Sequence, residues 1–124
     1  MTQKMGNMKP LGFCKIDFNR RRKKWPYFDE VGLWCITPPA TYYGPNYGSE
    51  WFTITHKPTG WRGGDIRVDN PRKAKVLERY SLMFGKSLTV VGVRRKYRKL
   101  SPTQKRWLKK QVAWLLPKRE GCAQ

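Results

Sequence analysis

Two runs of cations, Arg20-Arg21-Arg22-Lys23-Lys24 and Arg94-Arg95-Lys96-Tyr97-Arg98-Lys99, are the residues best placed by type and spacing to do chemistry in this chain. A guanidinium matches phosphate with two parallel N–H donors and a lysine ammonium adds a point charge, so such runs neutralise a phosphodiester backbone and release its counterions. A third set, Lys105, Arg106, Lys109 and Lys110, spans an arc of about 140° on a predicted helix. Solvated surface or a nuclear-localisation tract is the plainer reading of any one run. Trp25 and Tyr27 follow the first run and Tyr97 lies inside the second; these rings are suited to stacking on exposed bases and equally to anchoring loops.

Two other stretches offer rings. In Thr59-Gly60-Trp61-Arg62-Gly63-Gly64 a ring and a guanidinium sit at what reads as a hairpin tip, with glycines that let a backbone approach phosphate closely. A plain turn with Trp61 folded back competes with that reading. Residues 40–52 place Tyr42, Tyr43, Tyr47, Trp51 and Phe52 among glycine, proline and asparagine. Because a stacking platform normally lies in a basic groove and this stretch is neutral, Tyr42, Tyr43 and Tyr47 are expected to cap the core.

Catalytic residue types are scarce. His56 is the single histidine. Asp65 and Asp69 share a predicted strand face with Glu50 on its neighbour, a spacing that suits a metal for phosphodiester cleavage. Arg67 between them turns the same trio into an ordinary cross-strand ion network. A zinc site would need Cys14, Cys35, Cys122 and His56 together without any C-x-x-C pair. The sequence therefore predicts no catalytic residue, no metal and no cofactor; phosphate-cradling G-x-G-x-x-G and P-loop patterns and the RNA-recognition signature are absent.

The charge balance frames these residues. The 124 residues carry 27 Lys+Arg against 8 Asp+Glu, a net charge of +19. By segment the net charge is +5 over 1–37 (eight basic, three acidic), zero over 38–71 (three and three) and +14 over 72–124 (sixteen and two). Such an excess repels itself in a compact chain and points to a polyanionic partner, of which nucleic acid is the commonest. No apolar run approaches membrane-spanning length and no secretory signal opens the chain, which predicts a soluble intracellular protein of cytoplasm, nucleoid or nucleus, without a membrane partner. The odd, scattered cysteines imply no disulfide framework.

The elements that must position these residues run strands first, then helices. Period-two alternation predicts strands over 11–18, with Cys14, Ile16 and Phe18 on one face, over 50–56, with Phe52 and Ile54 inward and Thr53 and Thr55 outward, and over 64–69, with Ile66 and Val68 inward; 31–37 reads as a buried strand. Asn70 and Pro71 announce a helix whose Val76, Leu77, Tyr80, Met83 and Phe84 recur at helical spacing up to Gly85. Ser101, Pro102 and Gln104 open another, ending before Pro117, with Leu108, Val112 and Leu115 as its apolar stripe. Between them Leu88, Val90, Val91 and Val93 favour a further strand, whereas helix, glycine turn, basic recognition helix is the competing reading. One α+β domain over 1–124 results, a small antiparallel sheet of four to five strands followed by one helix, a further strand and a basic amphipathic helix, with 1–9 and 118–124 frayed. The expected function is noncatalytic nucleic-acid binding through phosphate contacts. Its rivals are a small basic accessory or inhibitor of a nucleic-acid enzyme or ribonucleoprotein and, more remotely, a metal-dependent nuclease.

Overall fold

The computed structural model of the protein describes residues 9–111. Of the stretches expected to fray at 1–9 and 118–124, all but residue 9 lie outside the described residues, as do the expected 112–116 end of the last helix and Cys122. Five strands, β1 (Gly12–Phe18), β2 (Arg21–Val31), β3 (Trp34–Thr37), β4 (Trp51–His56) and β5 (Trp61–Arg67), form one antiparallel sheet in sequential order. Helices α1 (Lys73–Phe84), α2 (Val90–Lys99) and α3 (Pro102–Lys110) follow, giving the α+β class read from the sequence.

The segment Arg21–Val31 holds the first departure. Its cations and Pro26 give no strand signal, yet it is the longest strand, because Trp25 and Phe28 supply the buried positions. It pairs with β1 through Arg21–Tyr27 and with β3 through Phe28–Val31, so Pro26 falls where the ladder has a partner only on the β1 side and its missing N–H is tolerated. Strand 31–37 is likewise divided: Val31 closes β2 and Trp34 opens β3.

The sheet is covered on both faces. Trp34, Ile36, Phe52, Ile54 and Ile66 pack beneath Leu77, Tyr80, Met83 and Phe84 of α1, Val93 of α2 and Leu108 of α3 to form the main core. Trp34 is its centre, with the rings of Tyr80 and Phe84 5.0 and 5.2 Å away. The β1–β2 hairpin curls over the opposite face, where Cys14, Trp25, Cys35, Thr37 and Thr55 are buried and the Trp25 indole N–H donates to the Pro38 carbonyl at 2.7 Å. Thr55, expected outward, is buried under this hairpin, its hydroxyl 2.8 Å from that of Thr37.

Helix α1 begins two residues beyond the expected Pro71, because the Asn70 side chain accepts from the Arg72 amide and builds a turn ahead of it. The expected further strand over 88–93 is not formed. Thr89 instead caps α2, its hydroxyl accepting from the Gly92 amide at 3.0 Å, and Val93, Tyr97 and Leu100 repeat at the helical period toward the core, with Val90 half-buried one turn before Val93. Tertiary burial of that stripe outweighs the β preference of its valines. Helix α3 opens on the capping box read from the sequence, Ser101 and Gln104 bonding each other's backbone amides. No helix of the described residues is long and apolar enough to cross a membrane.

Candidate nucleic-acid interface

Helix α2 carries the densest charge. With Val93 buried and Val90, Tyr97 and Leu100 half-buried, all of Arg94, Arg95, Lys96, Arg98 and Lys99 project into solvent. Among the described residues none of these five has a carboxylate partner. Six of the seven described acids are taken up elsewhere: Asp17 by Arg22, Asp29 by Lys73, Glu30 by Lys57, Asp65 by Arg62, and Glu50 and Asp69 by Arg67, while Glu78 lies on α1. Helices α2 and α3 contain no acidic residue at all. Cations in the last turn of α2, Lys96, Arg98 and Lys99, complement the negative end of its dipole.

The hairpin cluster is built differently. Asn19 and Arg20 make the two-residue turn between β1 and β2, both left-handed at φ 52° and 64°, the geometry a type I′ hairpin requires. Arg20, Arg21, Lys23 and Lys24 are exposed around that tip. Two of its ammonium groups are laid over rings, Lys23 on Phe18 at 5.2 Å and Lys24 on Phe13 at 4.4 Å. Arg22 is tied down, bonded to the Thr59 carbonyl at 2.9 Å and to Asp17 at 3.3 Å.

A chain of hydrogen bonds joins this hairpin to α2. Arg22 meets the Thr59 carbonyl, the Thr59 hydroxyl lies 2.9 Å from Nδ1 of His56, and Nε2 of His56 lies 2.8 Å from the carbonyl of Ser87, two residues before the α2 cap Thr89. Since a carbonyl only accepts, Nε2 carries the proton and Nδ1 accepts from Thr59. His56 is buried, and burial depresses its pKa below the ordinary histidine value. The lone histidine therefore holds the two basic elements in register, with both ring nitrogens engaged.

The remaining predicted residues fall less squarely on this surface. Trp61 and Arg62 lie inside β5 and not at a hairpin tip, which Lys57–Gly60 forms. Trp61 packs edge-on against Trp34 and Phe84. Both Arg62–Asp65 bonds, 2.9 and 2.8 Å, run from one guanidinium nitrogen to a carboxylate that is itself buried. Burial raises the Asp65 pKa, opposed by that guanidinium. Gly63 and Gly64 serve packing: a Cβ on Gly63 would stand 2.8 Å from the Trp34 ring and 2.9 Å from Tyr80, whose hydroxyl donates to the Gly63 carbonyl at 2.7 Å. Lys105 bends back to α2, its ammonium 5.4 Å from the Tyr97 ring and 3.4 Å from the Arg98 carbonyl. Arg106, Lys109 and Lys110 are exposed on α3.

The rings among the basic runs point inward. Trp25 is fully buried, while Tyr27 and Tyr97 are half-buried. The reverse holds for the neutral loop, where the expected core cover fails for two of three tyrosines. Tyr42 and Tyr43 are 85% and 87% exposed, pushed out by a tight turn in which the Thr41 hydroxyl accepts from the amides of Tyr43 and Gly44. Only Tyr47 reaches the core edge, 6.1 Å from Phe28. Sequence reasoning missed the linking role of His56; its isolation between a strand and a Pro/Gly turn gave no chemical signal.

Asp65, with Arg62, stands apart from Arg67, Asp69 and Glu50, so the acidic trio does not assemble, and among the described residues no group of three or more His, Cys, Asp or Glu is placed to hold a metal ion. Cys14 and Cys35 are free thiols buried in the hairpin core, where Cys35 Sγ donates to the Thr55 carbonyl at 3.6 Å and the neighbouring Cys14 thiol and burial hold the Cys35 pKa up. The chain matches no protein-family model, no curated protein and no solved structure.

Proposed function

We propose that this protein binds nucleic acid without catalysis, through contacts to the phosphate backbone and hence with low sequence specificity, inside the cell. One observation carries the reading: five cations on one exposed helix, unpaired by any described carboxylate, repel one another at a cost that a polyanion removes. The β1–β2 tip adds Arg20, Arg21, Lys23 and Lys24, and α3 adds Arg106, Lys109 and Lys110.

Each phosphate neutralised contributes about 0.7 to 0.9 to the slope of log K against log salt. Fluorescence anisotropy with a mixed-sequence oligonucleotide at increasing salt should therefore give a slope of magnitude about 4 or more. Tight binding that is nearly indifferent to salt overturns the phosphate reading. The Tyr42–Tyr43 turn supports a second reading, an accessory protein docked on an acidic protein surface, since tyrosine is enriched in interface hot spots. Under that reading the purified protein carries no nucleic acid, and losing both rings abolishes partner binding.

A further inference from the structure

We propose that α2 is a major-groove element for double-stranded DNA, an inference that rests on the phosphate-binding reading and names its substrate. At about 100° per residue, Arg95 lies opposite the buried Val93–Tyr97 line, with Val91, Arg98 and Lys99 within about 60° of it, while Arg94 and Lys96 stand about 100° to either side. A helix lying along a single strand needs cations on one flank. Cations on both flanks suit a helix whose two sides each face a phosphate wall, and a helix of about 10–12 Å diameter fits the B-DNA major groove, about 12 Å wide.

The crest between those flanks agrees with this. Val91 is 64% exposed at the N-terminal end of the basic face, where a β-branched apolar side chain gains nothing from water and meets the thymine methyl that only the major groove displays. Stacking on unpaired bases, the usual mode for single strands, is poorly served, because the described rings within the basic runs are turned inward or covered. Duplex RNA is disfavoured too, because the A-form major groove is too deep and narrow for side chains to read. The Arg22–Thr59–His56–Ser87 chain fixes the hairpin relative to α2, leaving its exposed cations for backbone beyond the groove.

The test compares labelled duplex DNA of two helical turns, about 20 base pairs, with the same sequence as duplex RNA and as single-stranded DNA, at one salt concentration, using the full chain. Duplex DNA should bind at least about tenfold more tightly than either alternative. Duplex DNA premethylated at guanine N7, which blocks the major groove and spares the phosphates, should bind several-fold more weakly. Equal binding to the three, a preference for RNA or single strand, or indifference to N7 methylation overturns the groove assignment and leaves the phosphate reading standing. Binding to none of them overturns both. The Arg95→Gln variant, checked by circular dichroism for an unchanged fold, should lose the duplex preference; a variant that keeps it counts against α2.

Discussion

At the scale of single residues, the structure separates cations that hold the protein together from cations free to hold something else. Arg62 belongs to the first group. Arg62→Gln strands a buried Asp65 carboxylate and should cost about 1–3 kcal/mol by chemical denaturation, while nucleic-acid affinity stays within about twofold of wild type, a change under 0.5 kcal/mol. A full loss of affinity at unchanged stability would return Arg62 to the binding surface. His56 is the other structural residue with a clear signature. Its folded pKa is depressed by burial, so between that value and the unfolded value near 6.5 the unfolded chain binds the extra proton. The contribution is complete above about pH 6.5 and is lost as pH falls below it. His56→Gln should lower stability and remove that slope, seen as the difference between the two proteins' stability–pH curves; parallel curves would reject the assignment. Tyr42 and Tyr43 bear no load, and replacing either by Ser should move stability by no more than about 0.5 kcal/mol.

At the scale of elements, the hairpin turn and α2 explain what was legible and what was not. Arg20 occupies a left-handed position that type I′ turns give to glycine. Arg20→Gly should raise stability by about 0.5–1 kcal/mol while weakening nucleic-acid binding by one cation, whereas a stability loss would mean the side chain has structural contacts. The period-two pattern of Cys14, Ile16 and Phe18 and of Phe52 and Ile54 was readable, because one face of each strand meets a core. So was the α3 cap. Strand β2 was not, since its paired surface is largely the aliphatic and aromatic part of a charged segment; only Trp25 and Phe28 mark it, three residues apart across a change of ladder partner. For 88–93, composition and spacing disagreed. The valines favour a strand, while Val90, Val93, Tyr97 and Leu100 fall at helical intervals, and spacing prevailed because it is what α1 can bury. Asp65 shows a further limit: its alternation with Ile66 was legible, but not its burial. The placement of Trp61 and the work of Gly63 and Gly64, which make room for Tyr80 and Trp34, were hidden because they follow from how α1 packs on the other face of the sheet.

At the scale of the whole molecule, a neutral middle segment builds β4, β5 and the tyrosine turn, while the charge is sorted onto a hairpin tip and two helices outside it. Addition of Mg²⁺ or Mn²⁺ should leave oligonucleotides intact and EDTA should change neither folding nor binding; cleavage abolished by Asp65→Ala would make the protein a nuclease instead. The sorting of charge also bears on proteolysis, since lysine and arginine are the residues after which trypsin cuts. In α2 those bonds sit within a hydrogen-bonded helix anchored by Val93 and Tyr97, so they are cut only when the helix opens, and the cutting rate reads its local opening free energy. Among the described residues the exposed turn cations Arg20, Arg72 and Lys86 lie outside helix and strand, and the bonds after them should be nicked before those of α2. A bound polyanion that grips α2 would then reveal itself without any label, as the tryptic fragments ending at Arg94 to Lys99 disappearing from the digest while the cut at Arg20 persists or slows less.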